Sequence, residues 1–228
     1  MENQYEGWEL DFFDQAYNFR TYQFDFIKKF IRGKTAEVGP GTGQNIDYYY
    51  KETNSVYLFE PDKRLFEQIK KKISNYPNIK FFNTEFLSTE EKFDTIMYLD
   101  VLEHIYDDER ELYKAYSQLN SGGNLIINVP AFNFLYSRYD ADIGHYKRYI
   151  KSDFKKLISR INPKFSKLIY YDSIGFVLIF LSKIFSISNN RNIKKKVSFW
   201  NQLIPISKII DRLTFFSFGK TLLCIIEK

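Results

Sequence analysis

The sequence predicts an α/β fold, with a mostly parallel sheet of seven strands and helices packed around it. Three observations carry this prediction: short apolar segments alternate with helically spaced ones, a glycine-rich turn follows the first strand, and an acidic residue closes the second. The 228 residues suffice for one domain with a full core. We expect residues 1–33 to form a helical lid, 34–173 the core, 174–219 a helical cap and 220–228 the last strand.

The first strand ends in a glycine-rich turn, TAEVGPGTGQN, at residues 35–45. Glycine is needed where φ is positive or where a ligand approaches the backbone closely. A tight turn from strand to helix also points free N–H groups into the crevice at the carboxyl end of the sheet. The turn lacks the Gly-Lys-Ser/Thr of a P-loop, and its third glycine comes too soon for the dinucleotide pattern. It therefore predicts a nucleotide-type ligand site of another kind.

Two acidic residues indicate which ligand this site takes. Glu37 precedes the first glycine, where a carboxylate repels phosphate and can attract an ammonium or sulfonium charge. Glu60 follows the second strand, residues 55–59, and can accept hydrogen bonds from both hydroxyls of a ribose. Asp62 precedes a predicted helix at residues 63–74, so we assign it to the helix N-cap.

Later strands deliver further polar residues to the same crevice. The third strand, residues 78–82, is followed by a loop with polar and apolar side chains that can hydrogen-bond and sandwich an adenine. The fourth strand, residues 92–99, ends at Asp100, where a helical turn begins with the sequence DVLEHI. Three more strands complete the predicted sheet, at residues 124–129, 165–171 and 221–226.

These motifs, in this order, carry a family resemblance. E-x-G-x-G-x-G at residues 37–43, LDVLEHI at 99–105 and L-x-x-G-G-x-L-I-I-x-V-P at 119–130 resemble the motifs of class I S-adenosylmethionine-dependent methyltransferases. PAFNFLYSRYDADIGHYKRY, residues 130–149, is similar to the P-x-F-x-x-L-Y…D…G-H-Y-R-R-Y segment of a bacterial subgroup, often encoded near surface-polysaccharide or glycosyltransferase functions. Lys147 replaces the more usual Arg. The likeness continues to the closing FGKTLLCIIEK.

The resemblance implies a Rossmann-like methyltransferase sandwich, with a helical insert before an antiparallel last strand. It implies S-adenosylmethionine as methyl donor, S-adenosylhomocysteine as product and no need for a metal. The methionine moiety is expected at the glycine turn, the ribose at the second strand, adenine after the third and the methyl donor pocket after the fourth. The residues assigned to the cofactor are Glu37, Gly39, Pro40, Gly41, Gly43, Glu60, Pro61, Thr84, Glu85, Phe86, Asp100 and Val101.

The segment 139–149 is where we look for the methyl acceptor, because it follows the fifth strand and can fold back over the crevice. If the acceptor is a hydroxyl, a base must take its proton. Histidine titrates near neutral pH, which makes His145 the first candidate and His104 the second. Asp140 completes the predicted catalytic set.

If the acceptor is instead a phosphate, phosphonate or carboxylate, no base is needed. Lys147 and Arg148 would then hold the anion. Alternatively, residues of this segment pin the loop through internal pairs, such as Asp140 with Arg148. The residues assigned to acceptor binding are Tyr139, Tyr146, Lys147, Arg148 and Tyr149.

Helical segments at both ends of the chain have more than one interpretation. Apolar spacing over residues 12–31 predicts a helix that covers the sheet, or a lid from which Tyr17 or Arg20 reaches a ligand. Residues 174–196 join a strongly apolar stretch, shorter than the ~20 residues of a bilayer span, to a basic one. This region can wall the acceptor pocket, form a dimer contact or rest on an anionic membrane surface.

The next segment, residues 197–218, predicts an amphipathic helix broken at Pro205. A single cysteine, Cys224, and an acidic, aromatic amino terminus without signal-peptide features favour a reducing cytoplasm. The formal charge of +5 is modest, and a monomer or homodimer is expected.

The expected activity is methyl transfer to an oxygen or nitrogen of a small or glycan-linked acceptor, including phosphate-bearing ones. Glu37 and the absence of G-x-G-x-x-G argue against a nicotinamide oxidoreductase. A nucleic-acid methyltransferase is disfavoured, because no Asn/Asp-Pro-Pro-Tyr/Phe follows the fourth strand and no long basic stripe occurs. The remaining alternative is a cofactor-binding partner without turnover in a surface-polysaccharide pathway.

Overall fold

The structure, a computed structural model, describes residues 13, 15–185 and 193–228. Seven strands form one sheet: β1 Lys34–Val38, β2 Ser55–Phe59, β3 Ile79–Phe82, β4 Phe93–Leu99, β5 Leu119–Pro130, β6 Phe165–Tyr171 and β7 Thr221–Glu227. The helices are α1 Tyr17–Ile27, α2 Ile46–Tyr49, α3 Lys63–Ile73, α4 Asp108–Ser117, α5 Arg138–Asp142, α6 Lys151–Ile161, α7 Ser173–Ile184 and α8 Ile193–Leu213.

The strand order is β3-β2-β1-β4-β5-β7-β6. The first five strands of this order each pair in parallel with their neighbours in the group. β7 is antiparallel to both of its neighbours, so Thr221 at its start pairs with Pro130 and with Tyr171 at the ends of β5 and β6. This arrangement confirms the predicted sheet, including its antiparallel last strand. The edge where β1, β2, β4, β5 and β6 end, and β7 begins, is called the carboxyl edge below.

Both faces of the sheet are buried, which explains why its central strands carry apolar residues on both faces. In β4, Ile96 and Tyr98 pack into the cluster on one face, while Met97 and Leu99 pack into the cluster on the other. The two clusters hold the sheet rigid between helical layers. The carboxyl edge is therefore a fixed platform for the loops that follow each strand.

The carboxy-terminal helix differs from its prediction, because α8 continues through Pro205 without a break. A proline inside a helix leaves the carbonyl four residues earlier without its usual donor. Here that carbonyl belongs to Asn201, and it accepts a hydrogen bond of 3.0 Å from the side-chain amide of Asn18. The Asn201 side chain in turn accepts from the Phe19 backbone N–H at 3.0 Å. The amino-terminal helix thus supplies the bond that the proline removes.

The remaining differences concern the bounds of elements. β5 begins at Leu119 rather than at residue 124, since Leu119 already pairs with Phe93 of β4, with an irregularity before the pairing resumes at Asn124. The α1 helix begins at Tyr17, and residues 1–12 and 14 of the predicted lid lie outside the described residues, as do residues 186–192 of the predicted cap. Among the described residues, no helix is long and apolar enough to cross a membrane.

Candidate active site

The glycine turn between β1 and α2 lies at the carboxyl edge, where the sequence predicts a crevice for the cofactor. Gly39, Gly41 and Gly43 all have positive φ, at 62°, 57° and 74°. A Cβ on Gly39 would lie 2.8 Å from the Val101 side chain, so glycine is also required by the close approach of the loop after β4. The positive φ expected at these glycines agrees with the structure, and the close approach of Val101 to Gly39 is a further reason that the sequence did not indicate.

Glu60 joins this turn to the end of β2. Its two carboxylate oxygens accept from the backbone N–H groups of Gly41 at 3.2 Å and Asp62 at 3.0 Å. Burial raises the pKa of Glu60 to about 7, although both backbone bonds oppose that rise. Asp62 caps α3 as predicted, since it accepts from the backbone N–H groups of Arg64 at 2.8 Å and Leu65 at 3.0 Å. Because Asp62 serves as the cap, Glu60 remains the candidate for the ribose.

The position of Glu37 differs from the prediction that its carboxylate attracts the cation of the ligand directly. It is 1% exposed, and its oxygens accept from the Asn45 side-chain amide at 2.7 Å and the Tyr49 hydroxyl at 2.6 Å. Burial raises the pKa of Glu37 against these bonds and the nearby charge of Arg20. The carboxylate therefore ties the end of β1 to α2 and shapes the glycine turn from beneath.

The loops that follow β4, β5 and β6, also at the carboxyl edge, contain backbone strain. Asp100, Phe132 and Asp172 follow the ends of β4, β5 and β6, and each has a positive φ between 60° and 65°. Non-glycine residues in this region cost about 1–3 kcal/mol each and cluster at functional sites. One oxygen of Asp100 accepts from the Asn128 side-chain amide at 2.8 Å, and the other lies 4.0 Å from Arg20 Nη1.

Three buried polar atoms near this crevice have no hydrogen-bond partner among the described residues: Arg20 Nε, Gln23 Nε2 and Asn45 Oδ1. Arg20 also donates to the Gln23 side chain at 2.8 Å, and Asn45 donates to Glu37. Buried polar atoms are normally paired, so these two donors and one acceptor suit a ligand that carries both a carboxylate and an ammonium group. The sequence named Arg20 only as one of two lid candidates, and nothing in its local pattern distinguishes Gln23 or Asn45. Tyr17, the other candidate, is exposed.

The predicted adenine contacts are only partly at the crevice. Phe86 differs from its prediction: its ring is 1% exposed and packs in the core against Phe59 and Phe93. Thr84 is half-buried and Glu85 is exposed. Asn83, which the sequence did not single out, donates to the backbone carbonyl of Glu60 at 2.8 Å and so fixes this loop against the one after β2.

The acceptor segment 139–149 is organised around the buried carboxylate of Asp140. Arg148 donates to it through Nε at 2.8 Å and Nη2 at 3.1 Å, and His145 Nδ1 lies 3.0 Å from Oδ1. Burial opposes the ionisation of Asp140, but the bonds from His145 and the charge of Arg148 prevail and lower its pKa to about 2. This is the internal Asp140–Arg148 pair that the sequence left open as an alternative.

Most of the predicted acceptor residues are engaged inside the protein. Arg148 is buried against Asp140, and the buried Tyr149 hydroxyl donates to Asp108 at 2.8 Å. Lys147 pairs with the same Asp108 at 2.6 Å. The structure therefore differs from the prediction that Arg148 and Tyr149 bind the acceptor directly. Tyr146 is exposed and Tyr139 half-buried.

The predicted catalytic histidines lie side by side at the loop after β4. Their rings are 4.7 Å apart between centroids, and His145 Nε2 lies 3.8 Å from the buried carboxylate of Glu103. The Tyr146 backbone N–H donates to the Glu103 carbonyl at 2.8 Å, which holds the acceptor segment in place. Burial, with the charge of His145, lowers the pKa of His104 to about 3. The structure thus groups His104, Asp140 and His145, together with Glu103, which the sequence did not assign.

Several solved structures share this fold. Haemonchus contortus phosphoethanolamine N-methyltransferase 2, in complex with S-adenosyl-L-methionine, matches with a TM-score of 0.67 and 14% identity over 100% of this chain, which spans 58% of that enzyme's length. N-methyltransferase NodS from Bradyrhizobium japonicum WM9, with S-adenosyl-l-homocysteine, has a TM-score of 0.59 and 13% identity over 97% of this chain and 91% of its own. A SAM-dependent methyltransferase from Archaeoglobus fulgidus has a TM-score of 0.62 and 14% identity over 96% of this chain and 97% of its own.

At these identities the structural likeness shows the fold, and it confirms the predicted Rossmann-like methyltransferase architecture. No curated protein matches the chain in sequence. A family profile described as a methyltransferase domain matches residues 15–164, which is more than half of the chain and includes the glycine turn, Glu60 and Asp100. The predicted enzyme class, a methyltransferase, is confirmed by this match: the chain belongs to the methyltransferase domain family.

Proposed function

We propose that this methyltransferase moves the methyl group of S-adenosylmethionine to an oxygen or nitrogen of a small or glycan-linked, phosphate-bearing acceptor. In this reaction the methyl–sulfur bond breaks, its electron pair stays on sulfur to give S-adenosylhomocysteine, and a bond to the acceptor atom forms. The observation that carries the proposal is that buried polar atoms of Arg20, beside Asp100, and of Asn45, in the glycine turn, have no partner among the described residues.

The cofactor suits this crevice along its length. Glu60 lies where the ribose hydroxyls would donate, and its backbone bonds already orient both oxygens. The methionine carboxylate would accept from Arg20, and its ammonium would donate to Asn45 Oδ1. Because Val101 touches the position that a Cβ on Gly39 would need, the loop after β4 packs directly on the glycine turn, and we propose that the two together hold the methionine end of the cofactor. The structures crystallised with S-adenosylmethionine or its product share this fold.

The acceptor is proposed to enter beside His145. Asp140 engages Nδ1 of this ring, so Nε2 is the atom that can take a proton from an acceptor hydroxyl. We propose that Arg148 and Tyr149 act indirectly, by holding segment 139–149 in place, and that Tyr139 and Tyr146 contact the acceptor. The phosphate-bearing class is supported by the matched Haemonchus contortus enzyme, which is named for phosphoethanolamine.

The chain is proposed to act as one domain, with residues 174–219 as a cap over the acceptor side. The α1 helix packs on α8 through Phe19 and Trp200, whose rings are 4.8 Å apart. This contact supports a lid and a cap that work together. A binding partner without turnover remains the alternative, and a turnover assay separates the two.

Calorimetry with S-adenosylmethionine, S-adenosylhomocysteine and NAD tests the cofactor. We expect the two sulfur compounds to bind in the micromolar range, as is common for enzyme ligands, and NAD to give no heat. Release of homocysteine from the product, with phosphoethanolamine, phosphorylated sugars and lipid-linked glycans as acceptors, then tests turnover. Binding of NAD instead of the sulfur compounds would contradict the proposal, and binding without turnover on every acceptor class would favour the alternative.

We also propose that α7 rests on an anionic membrane surface. Val177, Phe180, Leu181 and Ile184 share one helical stripe and are exposed, and three exposed lysines, 194–196, stand at the start of α8. Apolar side chains next to lysines suit a bilayer with anionic headgroups.

Flotation with vesicles of phosphatidylcholine, with and without phosphatidylglycerol, tests this surface. We expect binding to the anionic vesicles that falls with salt and is lost in Phe180→Glu. The control Phe82→Glu replaces another exposed phenylalanine, on β3, and should still bind. Equal binding to both vesicle types, or none, contradicts the proposal.

A further inference from the structure

Glu103, His104 and His145 bring three metal-binding groups together beside the cofactor crevice. One ligand atom from each lies within 4.8 Å of the others. His145 Nε2 is 3.8 Å from Glu103 Oε1. Two atoms that bind one metal at roughly 2.0–2.2 Å stand about 3–4 Å apart. The His145–Glu103 pair is within that range, and a small side-chain movement would bring any wider pair of the cluster into it.

The Glu103 carboxylate supplies an independent observation. Glu103 is 1% exposed, and its Oε2 has no hydrogen-bond partner among the described residues. A buried carboxylate oxygen without a partner is strongly disfavoured unless a donor or a cation reaches it. A cation held between Glu103 and the two imidazoles would satisfy this oxygen.

Both imidazole rings are held in place by contacts outside the cluster. Asp140 Oδ1 lies 3.0 Å from His145 Nδ1, and Arg148 fixes Asp140 in turn. Carboxylate–histidine pairs of this kind orient the other ring nitrogen toward a metal in many proteins. His104 hydrogen-bonds the Gly144 backbone, which lies beside its Nδ1. The Asp140–Arg148 pair thus acts as an outer support for the cluster.

We propose that Glu103, His104 and His145 bind one divalent transition metal, of which Zn²⁺ is the best-suited example. Two histidines and one glutamate form a ligand set of catalytic zinc sites, which leave further positions open. An open position of this kind would suit an acceptor oxygen. The family resemblance implied no metal, and the inference departs from it on the geometry of these three residues.

The role of the metal rests on the proposed function. An acceptor hydroxyl bound to the metal ionises more readily, its proton passes to solvent, and the resulting oxygen forms the new bond to the methyl carbon while the carbon–sulfur bond breaks. An amine bound to the metal would lose the lone pair it needs for attack. The metal therefore selects an oxygen acceptor, and it occupies the His145 lone pair that would otherwise take the proton.

Metal titration of the full chain, with any affinity tag removed and after treatment with a chelator, tests the site without cofactor or acceptor. CoCl2 is followed by visible absorption and ZnCl2 by calorimetry. We expect one equivalent of metal, with a cobalt spectrum typical of nitrogen ligands. Glu103→Gln and His145→Ala should each weaken binding at least 100-fold, and Asp140→Asn by about 10–100-fold. Asp142→Asn, an exposed carboxylate nearby, should bind as the unmodified chain does.

S-adenosylmethionine affinity and circular dichroism are measured on the same samples. An unmodified chain that binds the cofactor but neither metal overturns the metal site and leaves the proposed function standing. A chain that binds the metal but not the cofactor contradicts the proposed function alone. Full metal affinity in His145→Ala also overturns the site. Should a variant fail to fold, the cobalt spectrum of the unmodified chain decides by itself.

Discussion

The cofactor side and the acceptor side of the carboxyl edge differ in how far their polar groups are satisfied. Around the glycine turn, atoms of Arg20, Gln23 and Asn45 are buried without partners among the described residues. In segment 139–149, Asp140 accepts from Arg148, His145 and Ser137, and Lys147 pairs with Asp108. The first region keeps polar atoms for a ligand, as the proposed cofactor site requires, whereas Asp140, Arg148 and Lys147 of the second region hold the shape of the segment.

This difference indicates which substitutions affect binding and which affect folding. A polar group that is paired only when the ligand is bound adds little to the stability of the free protein. Its substitution is therefore expected to lower the affinity for the ligand. A buried ion pair contributes to the shape of the unliganded protein, and removal of one partner leaves an uncompensated charge. Four predictions test this division, from the largest expected effect to the smallest.

Arg148→Ala should lower the free energy of unfolding by about 3–5 kcal/mol, because it leaves the buried Asp140 carboxylate without its main partner. Urea unfolding measures the loss. The matched control is Lys147→Ala, which removes the neighbouring, more exposed ion pair and should lower the same free energy by less than about 1 kcal/mol. Equal effects of the two variants would contradict an acceptor segment held by Asp140.

Glu60→Gln should weaken S-adenosylmethionine binding about 100-fold at pH 8, near 3 kcal/mol, because the ribose hydroxyls lose a charged acceptor. Since the pKa of Glu60 is about 7 in the free protein, binding to the ionised form should weaken about tenfold per pH unit below 7 and level off above it. Calorimetry between pH 5.5 and 8.5 measures this dependence.

Two controls complete the test at Glu60. Glu67→Gln, an exposed carboxylate on α3, should keep the affinity and the pH dependence of the unmodified chain. A raised pKa means that ionisation of Glu60 opposes folding, so stability falls as pH rises from about 4.5 to about 7. Glu60→Gln should therefore be no less stable at pH 8. Affinity that is independent of pH in the unmodified chain would argue against the ribose role.

Gly39→Ala should weaken cofactor binding by about 1–3 kcal/mol, because a side chain at positive φ is strained and its Cβ would lie 2.8 Å from Val101. The control Gly122→Ala shares the positive φ, at 75°, but its Cβ would meet only one atom, 3.9 Å away. It should lower stability by about 1 kcal/mol and leave cofactor affinity unchanged. If both variants bind the cofactor equally well, the close approach at Gly39 has no role in binding.

Asp62→Ala should lower the free energy of unfolding by about 1 kcal/mol, because the first backbone N–H groups of α3 lose their cap. Asp62→Asn keeps an acceptor oxygen and should restore most of that loss. Cofactor affinity should change little in either variant, since we assign Glu60 rather than Asp62 to the ribose. A large loss of affinity in Asp62→Asn would reverse the assignment of the two carboxylates.

Local patterns in the sequence predicted the sheet, the glycine turn and the Asp62 cap, because each depends on residues close together in the chain. The side-chain positions of Phe86 and Glu37 were predicted less well. Their loops were predicted, but whether a side chain points to the crevice or into the core depends on packing across the sheet. The continuous α8 helix depended on Asn18, 183 residues away from Asn201. The gathering of Glu103 with both histidines likewise required the fold of segment 139–149.

The hydrogen bonds between Asn18 and Asn201 have a consequence for shortened forms of the protein. The same two-residue contact closes the gap left by Pro205 and fastens the beginning of the described chain to its last helix. A truncation that removes α1 would therefore expose a backbone carbonyl in the middle of α8, besides uncovering the crevice. Shortened forms intended to isolate the catalytic core should therefore retain Asn18.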